Sequence, residues 1–197
     1  MNKLKYQIND LRKSEIKKVV EKRLKEFKEF DKKDGKEWFS ELCFCILTAN
    51  SRAHTAINIQ NELGPDGFLD LTREEVVEAI KRNKHRFHNN KARYIDEARK
   101  YSDIRDRVRD LLKENDEKIA REWIVKNIKG LGYKEASHFM RNTGGTKLAI
   151  LDRHILNLLL NNGYIDFRPN SLTKNKYLEI EDIFNKLAEE LKMNSAE

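Results

Sequence analysis

The chain has 197 residues, of which 37% are charged and 39% hydrophobic, and its formal net charge is +7. This length is enough for one compact domain or two small lobes with a hydrophobic core. No apolar run approaches the ~20 residues that cross a bilayer, and the N-terminal residues lack the apolar core of a signal peptide, so we expect a cytosolic protein that does not associate with membranes.

The excess of Lys and Arg favours a polyanionic partner, because these cations can replace counterions at phosphates. The same composition, rich in Lys, Glu and Arg and with Gln7 and Gln60 as its two glutamines, is also typical of heat-adapted proteins. Charge alone therefore does not establish nucleic-acid binding, because part of it can serve stability at high temperature.

The two cysteines, Cys43 and Cys45, lie two positions apart in an apolar segment. On a helix such positions do not face each other, so we expect buried thiols and neither a mutual disulfide nor a shared metal. An iron–sulfur cluster would need about four cysteines. The sequence therefore predicts no metal and no cofactor.

Helical patterns dominate and strand patterns are scarce, so we predict an all-α fold. The segment at residues 36–47 is apolar nearly all round, as expected of a central helix. The other predicted helices cover residues 10–30, 51–63, 73–83 and 90–113, the last with a break near Ser102. Two more begin at Asp116, running through Ile124, and at Thr173, running to about residue 191. Gly64 and Pro65 predict a loop at residues 64–67.

Several of these helices are preceded by side chains that can accept hydrogen bonds from first-turn amides. The predicted N-caps are Asn50 or Ser51 for the helix at 51–63, and Thr72, in a capping box with Glu75, for the helix at 73–83.

A basic and polar turn surrounds a lone aromatic residue, Phe87, within residues 84–93. A single phenylalanine among charges is either an anchor that packs into the core or an exposed side chain. The sequence pattern leaves both interpretations open.

Gly130 and Gly132 flank one apolar residue and predict a tight hairpin between two helices. The amides beyond the turn have no earlier partner, and a helix N-terminus favours an anion such as phosphate. Lys134 falls in the first turn of the following helix, where the helix dipole disfavours an ammonium group. If the site is also dry, both effects favour the neutral amine, which is the nucleophilic form.

Asp152 follows an apolar run at residues 148–151 and precedes Arg153 and His154. It can cap the next helix, and it places one carboxylate beside a buried segment, where it could stabilise a developing positive charge. Helix caps and glycine turns are common, so each element alone indicates little.

Taken together, the glycine hairpin with its lysine and the downstream aspartate resemble the motifs of a known protein family. Gly-Leu-Gly-Tyr-Lys at residues 130–134, followed by Leu-Asp-Arg-His at 151–154, resembles the helix-hairpin-helix DNA glycosylases, in which a hairpin lysine and a downstream aspartate form the active site. The fuller strings at 129–142 and 151–156, with Leu-Cys-Phe-Cys-Ile-Leu-Thr-Ala-Asn-Ser at 42–51, look like the archaeal-type second family of 8-oxoguanine DNA glycosylase/lyases. The clustered relatives of endonuclease III are excluded as close models, because the chain has too few cysteines.

The resemblance implies an all-α, two-lobed helix-hairpin-helix architecture with the active-site cleft between the lobes. One lobe would cover about residues 36–128, and the other residues 1–35 with 129–197. It also implies a bifunctional, monomeric repair enzyme in the cytoplasm, associated with the nucleoid, that removes 8-oxoguanine from damaged double-stranded DNA. Lys134 would form a Schiff base that permits strand nicking by β-elimination, and Asp152 would stabilise the sugar cation.

The resemblance further implies contacts with the duplex. Asn50 would fill the gap left by the flipped nucleotide, and Phe87 would enter the stack as a wedge. Arg86 would contact the orphaned cytosine. The remaining candidates are Gly130 and Gly132 at a phosphate, Arg153 and His154 as phosphate contacts or ordinary first-turn residues, and His138 in the base pocket or packed between the lobes.

The residues at 194–197 have the pattern of a helix cap with Glu197 at the third position. Members of the resembled family continue with an aromatic-rich helix and a terminal lysine that help to hold the base. We therefore expect the natural chain to extend beyond this point.

Three other interpretations stay open from the sequence. The chain could be a non-catalytic helix-hairpin-helix module that grips DNA, a glycosylase/lyase for oxidised pyrimidines, or a helical protein-interaction domain. The choice of 8-oxoguanine comes from the resemblance alone, since no residue can be assigned to the N7 proton or the C8 oxygen of that base.

Overall fold

The structure, a computed structural model, describes residues 3–114 and 116–197. Over this part of the chain it contains α-helices and one 3₁₀ turn and no β-strand, so the predicted all-α fold is confirmed. The helices are α1 (Lys3–Leu11), α2 (Ile16–Phe30), α3 (Gly35–Thr48), α4 (Ala53–Asp70), α5 (Arg73–Arg82), α6 (His88–Ala98), α7 (Ile104–Glu114), α8 (Glu117–Asn127), α9 (Tyr133–Asn142), α10 (Arg153–Asn161) and α11 (Lys174–Glu190), with the 3₁₀ turn at Arg99–Tyr101.

Most of the predicted helix starts are confirmed by side-chain caps. Thr72 and Glu75 form the predicted capping box of α5, and the side chains of Asp116 and Thr173 accept first-turn amides of α8 and α11. The predicted break near Ser102 is also present, because the 3₁₀ turn separates α6 from α7.

The helix predicted over residues 10–30 is two helices in the structure. The Ser14 hydroxyl donates to the carbonyl of Leu11 at 2.7 Å and accepts from the amide of Ile16 at 3.2 Å. Because this side chain satisfies the end of α1 and the start of α2 at once, the chain leaves the helical path there.

The structure also corrects the region around α4. Neither Asn50 nor Ser51 caps this helix, whose N-cap is Arg52 without a side-chain bond. The loop predicted at residues 64–67 is a kink, since Gly64 alone leaves the helical conformation (φ 63°, ψ 177°). Pro65 then restarts the helix, because the first turn of a helix needs no proline N–H.

The structure divides into two compact units. The first consists of Lys32–Phe139, and the second of the described residues up to Asp31 together with Met140–Glu197. The predicted lobe boundary near residue 129 therefore differs from the boundary in the structure, which lies within α9. The residues of α9 up to Phe139 belong to the same unit as α3, and the rings of Trp38 and Phe139 lie 5.9 Å apart at 78°.

In the unit Lys32–Phe139, α3 is the central element. Every residue of α3 from Trp38 to Thr48 is buried, and the helix packs against α4, α6 and α7. Cys43 and Cys45 are both buried thiols, as the sequence predicts.

In the other unit, α11 contributes the buried side chains of Tyr177, Ile180 and Leu187. The turn at residues 194–197 shows the predicted capping contacts. Glu197 Oε2 accepts from the Asn194 amide at 2.7 Å, and Asn194 Oδ1 accepts from the Ala196 amide at 3.0 Å.

Each helix within residues 3–114 and 116–197 is too short or too polar to cross a membrane.

Candidate active site

The glycine hairpin connects α8 to α9 and lies against α6. Gly130 has φ +87°, a conformation that favours glycine, and a Cβ atom there would come within 2.5 Å of the Tyr94 ring. Lys129 Nζ pairs with Glu97 Oε2 of α6 at 2.8 Å. Glycine at position 130 therefore permits the close approach of the hairpin to Tyr94, and the Lys129–Glu97 ion pair holds the hairpin against α6.

Lys134 is the second residue of α9, so the hairpin determines its position. Its Nζ atom forms an ion pair with Glu135 Oε1 at 2.9 Å, and 35% of its side chain is exposed. The other carboxylate oxygen of Glu135 accepts from the Gly132 amide at 3.3 Å. The sequence did not predict this contact between the Lys134 amine and the neighbouring carboxylate.

Asp152 is the N-cap of α10, as the sequence predicts. Its Oδ1 atom accepts from the amides of His154 and Ile155 at 2.8 and 2.9 Å. Within the described part of the chain, its Oδ2 atom has no hydrogen-bond partner. One oxygen therefore maintains the helix while the other remains available to a ligand.

The segment before Asp152 is held by α11. The Tyr177 hydroxyl donates to the Ala149 carbonyl at 2.7 Å and accepts from the Leu151 amide at 3.3 Å. Glu181 Oε1 accepts from the Ala149 amide at 3.1 Å, and both α11 side chains are buried. Sequence reasoning placed Tyr177 only on an apolar helix face and did not identify Glu181, because neither contact is local in sequence.

The three candidate duplex contacts of the first unit come together in the structure. Asn50 follows α3 at φ +58° and is exposed. Arg86 donates to the Asn50 carbonyl at 3.4 Å, and its guanidinium lies over the Phe87 ring at 4.5 Å from the centroid. Phe87 is partly exposed, so its ring is neither a core anchor nor free in solvent.

Two buried side chains fix the loops that carry Asn50 and Phe87. His85, only 2% exposed, contacts the Leu47 carbonyl through Nε2 at 3.0 Å, and its Nδ1 accepts from the Phe87 amide at 3.2 Å. Because Nδ1 is an acceptor, Nε2 carries the proton and the ring is neutral. Burial lowers the pKa of His85, which favours this neutral form.

Lys91, like His85, is a buried side chain that binds a backbone carbonyl near the end of α3. Its Nζ donates to the Ile46 carbonyl at 2.6 Å, and burial lowers its pKa to about 8. Sequence reasoning did not select His85 or Lys91, since their carbonyl partners lie 38 and 45 residues away.

The other candidates differ in their surroundings. His138 is partly exposed on α9, and its ring meets the edge of Phe44 at 5.9 Å. Arg153 and His154 are both exposed, with Arg153 Nε 3.3 Å from His154 Nε2. No group of three or more His, Cys, Asp or Glu side chains placed for a metal ion occurs among residues 3–114 and 116–197.

The candidate residues are divided between the units. The hairpin with Lys134 and His138, and the Asn50–Arg86–Phe87 group, belong to Lys32–Phe139. Asp152, Arg153 and His154 belong to the other unit.

Comparisons with known proteins give this arrangement a context. A family model described as 8-oxoguanine DNA glycosylase matches residues 20–193. A protein of Methanocaldococcus jannaschii named 8-oxoguanine DNA glycosylase/AP lyase is 52% identical over 190 residues, which cover 96% of this chain and 90% of that protein. The chain belongs to the 8-oxoguanine DNA glycosylase family.

Other members of this glycosylase family agree with the assignment. A Korarchaeum cryptofilum protein of the same name is 40% identical over 194 residues, 96% of this chain and 90% of that protein. The M. jannaschii 8-oxoguanine glycosylase/lyase in complex with a 15mer DNA containing 8-oxoguanine matches with a TM-score of 0.93 at 50% identity, over 98% of this chain and 91% of that chain. The glycosylase family and fold implied by the resemblance are therefore confirmed.

Proposed function

We propose that this protein is an 8-oxoguanine DNA glycosylase/AP lyase, which removes 8-oxoguanine from duplex DNA and nicks the strand. The observation that carries the proposal is the 52% identity, over 96% of the chain, to a relative with that name. The hairpin lysine Lys134 and the N-cap carboxylate Asp152 supply the two groups that the chemistry needs.

The reaction begins with rotation of the damaged nucleotide out of the stack, because the glycosidic bond cannot be attacked inside the duplex. The Lys134 amine, after loss of one proton, attacks C1′. The C1′–N9 bond breaks, and the base leaves with the bonding electrons. The resulting adduct opens to a Schiff base, and loss of a C2′ proton then expels the 3′ phosphate by β-elimination.

Asp152 supports this step by electrostatics. As C1′ becomes electron-poor, the carboxylate stabilises the positive charge that develops on the sugar. The Oδ2 atom is the available oxygen, since Oδ1 already accepts two backbone amides of α10. The proposal requires that Lys134 and Asp152 reach the same sugar ring.

The remaining candidates act on the duplex. Amides of the Gly130–Gly132 hairpin would bind a phosphate near the flipped nucleotide, and the Gly132 amide would first have to release Glu135 Oε2, to which it donates. Asn50 and Phe87 would occupy the space that the flipped nucleotide leaves in the base stack. Unstacking a base step costs a few kcal/mol, and stacking of the Phe87 ring on a neighbouring base would offset part of that cost. The other proposed contacts are Arg86 at the orphaned base, Arg153 and His154 at phosphates, and His138 beside the flipped base.

We propose that the enzyme acts as a monomer on damaged double-stranded DNA. We further propose that it is associated with the nucleoid in the cytoplasm of a thermophilic prokaryote. Relatives that carry the name 8-oxoguanine DNA glycosylase/AP lyase come from thermophilic archaea and from Thermotoga, which supports a thermophilic prokaryote as the source. Sedimentation of the protein mixed with one equivalent of lesion duplex tests the monomer, because the mass of the complex gives the number of protein chains on one lesion. A mass that corresponds to two chains would contradict the proposal.

A panel of duplexes tests the activity. Single-turnover reactions use one sequence carrying 8-oxoguanine, an oxidised pyrimidine or undamaged guanine. We expect base release and a nick for 8-oxoguanine, and neither product for undamaged guanine. Preferential release of the oxidised pyrimidine would contradict the substrate assignment, and binding without any product would indicate a non-catalytic module.

A further inference from the structure

Two exposed arginines, Arg153 and Arg168, differ from many others in the chain because no carboxylate neutralises them. Several arginines form ion pairs, as Arg107 does with Asp103 at 2.9 Å. Within residues 3–114 and 116–197, neither Arg153 nor Arg168 lies within ion-pair distance of an Asp or Glu side chain. Their charges are therefore available to an anion from solution.

The Arg168 side chain lies against the face of α10 that carries Arg153. Arg168 Nη1 donates to Asn157 Oδ1 at 3.2 Å. Asn157 is four residues after Arg153 on α10, so these two side chains are neighbours on one helix face. Asp152, the proposed catalytic carboxylate, is the N-cap of the same helix. Because all of these residues belong to one compact unit, both arginines are held on the helix that Asp152 begins.

An exposed aromatic ring lies next to these cations. Phe167, the residue before Arg168, is 60% exposed. Lys176 Nζ lies 5.2 Å from the centroid of the Phe167 ring, and this amine also pairs with Glu179 Oε1 at 2.8 Å. Surfaces that bind a nucleic-acid strand combine exposed aromatic rings with cations, since the rings pack on the nucleotides and the cations bind the phosphates.

Neither feature alone indicates a binding site. Single exposed apolar side chains are common, and Tyr6 on α1 is 62% exposed without a cation over its ring in the part of the chain that the structure describes. Asp166, which precedes Phe167, is also exposed, and its charge would repel a phosphate. The distinguishing observation is that two guanidinium groups without carboxylate partners and an open ring occur together on the helix that begins at Asp152.

We propose that Arg153, Asn157, Phe167 and Arg168 form a DNA-binding surface, the α10 flank, which takes the sugar–phosphate backbone beside the lesion nucleotide. The two guanidinium groups bind successive phosphates, for which their planar donor geometry is suited. The Phe167 ring packs on a deoxyribose of the same strand. This inference rests on the proposed function, because a lesion nucleotide at Asp152 brings the neighbouring backbone to α10. It extends the contact with DNA beyond the flipped nucleotide.

The test measures binding without chemistry. Each protein is titrated, by fluorescence anisotropy, against a labelled duplex that carries a tetrahydrofuran abasic analogue in place of the lesion nucleotide. The titrations are repeated at several salt concentrations, and thermal melting checks the fold. The test variants are Arg168→Gln and Phe167→Ala.

Two residues of the same unit provide matched controls. Arg23 is an exposed arginine of α2 whose guanidinium lies 4.9 Å from the centroid of the Phe27 ring, so Arg23→Gln removes the same charge from beside another ring. Tyr6→Ala removes an equally exposed ring from α1.

We expect Arg168→Gln to bind more weakly than the parent at low salt. The slope of log affinity against log salt should become shallower by about 0.9, because one phosphate contact no longer releases a counterion. Phe167→Ala should bind about fivefold more weakly with an unchanged slope, since an apolar contact releases no counterion. Arg23→Gln and Tyr6→Ala should follow the parent.

A parental slope in Arg168→Gln, or parental affinity in Phe167→Ala, would overturn the inference. An equal change of slope in Arg23→Gln would also overturn it, because the effect would then follow net charge. Single-turnover base release from an 8-oxoguanine duplex by the parent tests the proposed function separately. Base release together with parental binding by both test variants would refute the α10 flank alone, whereas absence of base release would refute the proposed function.

Discussion

Asp152 combines a structural contact and a proposed catalytic charge, and the two can be separated by one substitution. Asparagine caps helices about as well as aspartate, so Asp152→Asn should keep the α10 cap and the free energy of unfolding within about 0.5 kcal/mol. It removes the charge that stabilises the sugar cation. We therefore expect base release under single-turnover conditions to slow at least ~100-fold.

Asp152→Ala is the matched comparison. It removes both the charge and the cap, so it should match the slow rate of Asp152→Asn and lose a further ~1 kcal/mol of stability. Denaturant unfolding and rapid-quench kinetics measure the two quantities. If Asp152→Asn kept the parent rate, the carboxylate would be a helix cap and nothing more.

His85 gives a prediction about pH. Its neutral ring joins the Leu47 carbonyl to the Phe87 amide, and burial lowers its pKa below the ordinary 6.5. The unfolded chain therefore binds the proton more readily than the folded chain. The contribution of His85 to stability is present above pH 6.5 and is lost as the pH falls through the lowered pKa.

His85→Ala should accordingly be most destabilising at neutral pH. We expect a loss of about 2–4 kcal/mol above pH 7, since a buried donor and a buried acceptor are left unpaired, and a smaller difference from the parent near pH 5. Guanidinium unfolding of both proteins at several pH values measures this. A difference that grows as the pH falls would contradict the neutral, bridging ring.

At the scale of elements, the hairpin depends on Gly130. Gly130→Ala would force a side chain into a left-handed conformation and into the Tyr94 ring. Gly163 has φ +71°, and a Cβ atom added there would have no neighbour within 4 Å, so Gly163→Ala carries the backbone cost alone, about 1 kcal/mol. We expect Gly130→Ala to be less stable than Gly163→Ala by a further ~1–3 kcal/mol, because a packed group must move.

The same pair of variants reports on function. Displacing the hairpin also displaces its amides and Lys134, so Gly130→Ala should weaken binding to abasic DNA while Gly163→Ala should not. Titration of a labelled duplex measures this at fixed salt, because phosphate contacts are salt-dependent. Equal affinities for the two variants would show that the hairpin does not bind the strand.

The elements that the sequence predicted well are those with local causes. The caps at Thr72, Asp116 and Asp152 depend on residues two or three positions away, and the buried helix α3 depends on an uninterrupted apolar run. The Gly64 kink was less predictable, because a Gly-Pro pair is typical of a loop unless tertiary packing continues the helix beyond it. The break at Ser14 has a local cause, the two contacts of its hydroxyl with the backbone, but the apolar spacing continues through it and predicted one uninterrupted helix.

The same distinction applies to the site. Lys134 and Asp152 stand out because their motifs are contiguous in sequence. Their supports come from distant residues: Tyr177 and Glu181 hold the segment before Asp152, and His85 binds a carbonyl 38 residues away. Glu135 is adjacent to Lys134, yet its ion pair with the lysine depends on which way its carboxylate turns, and only the structure shows that.

For the whole molecule, the proposed chemistry needs residues from both compact units. Lys134 lies in Lys32–Phe139 and Asp152 in the other unit, so neither unit contains the complete pair. The chain covers 90% of the M. jannaschii relative, and its net charge of +7 suits a duplex partner. We therefore expect activity to require the whole chain.

In the proposed reaction the Lys134 amine forms the covalent intermediate with DNA. Borohydride trapping on an 8-oxoguanine duplex detects this intermediate, with Lys129→Gln as a control that removes the same charge from the same hairpin. We expect a protein–DNA cross-link for the parent and for Lys129→Gln, and none for Lys134→Gln. A cross-link of parental yield in Lys134→Gln would show that another group is the nucleophile.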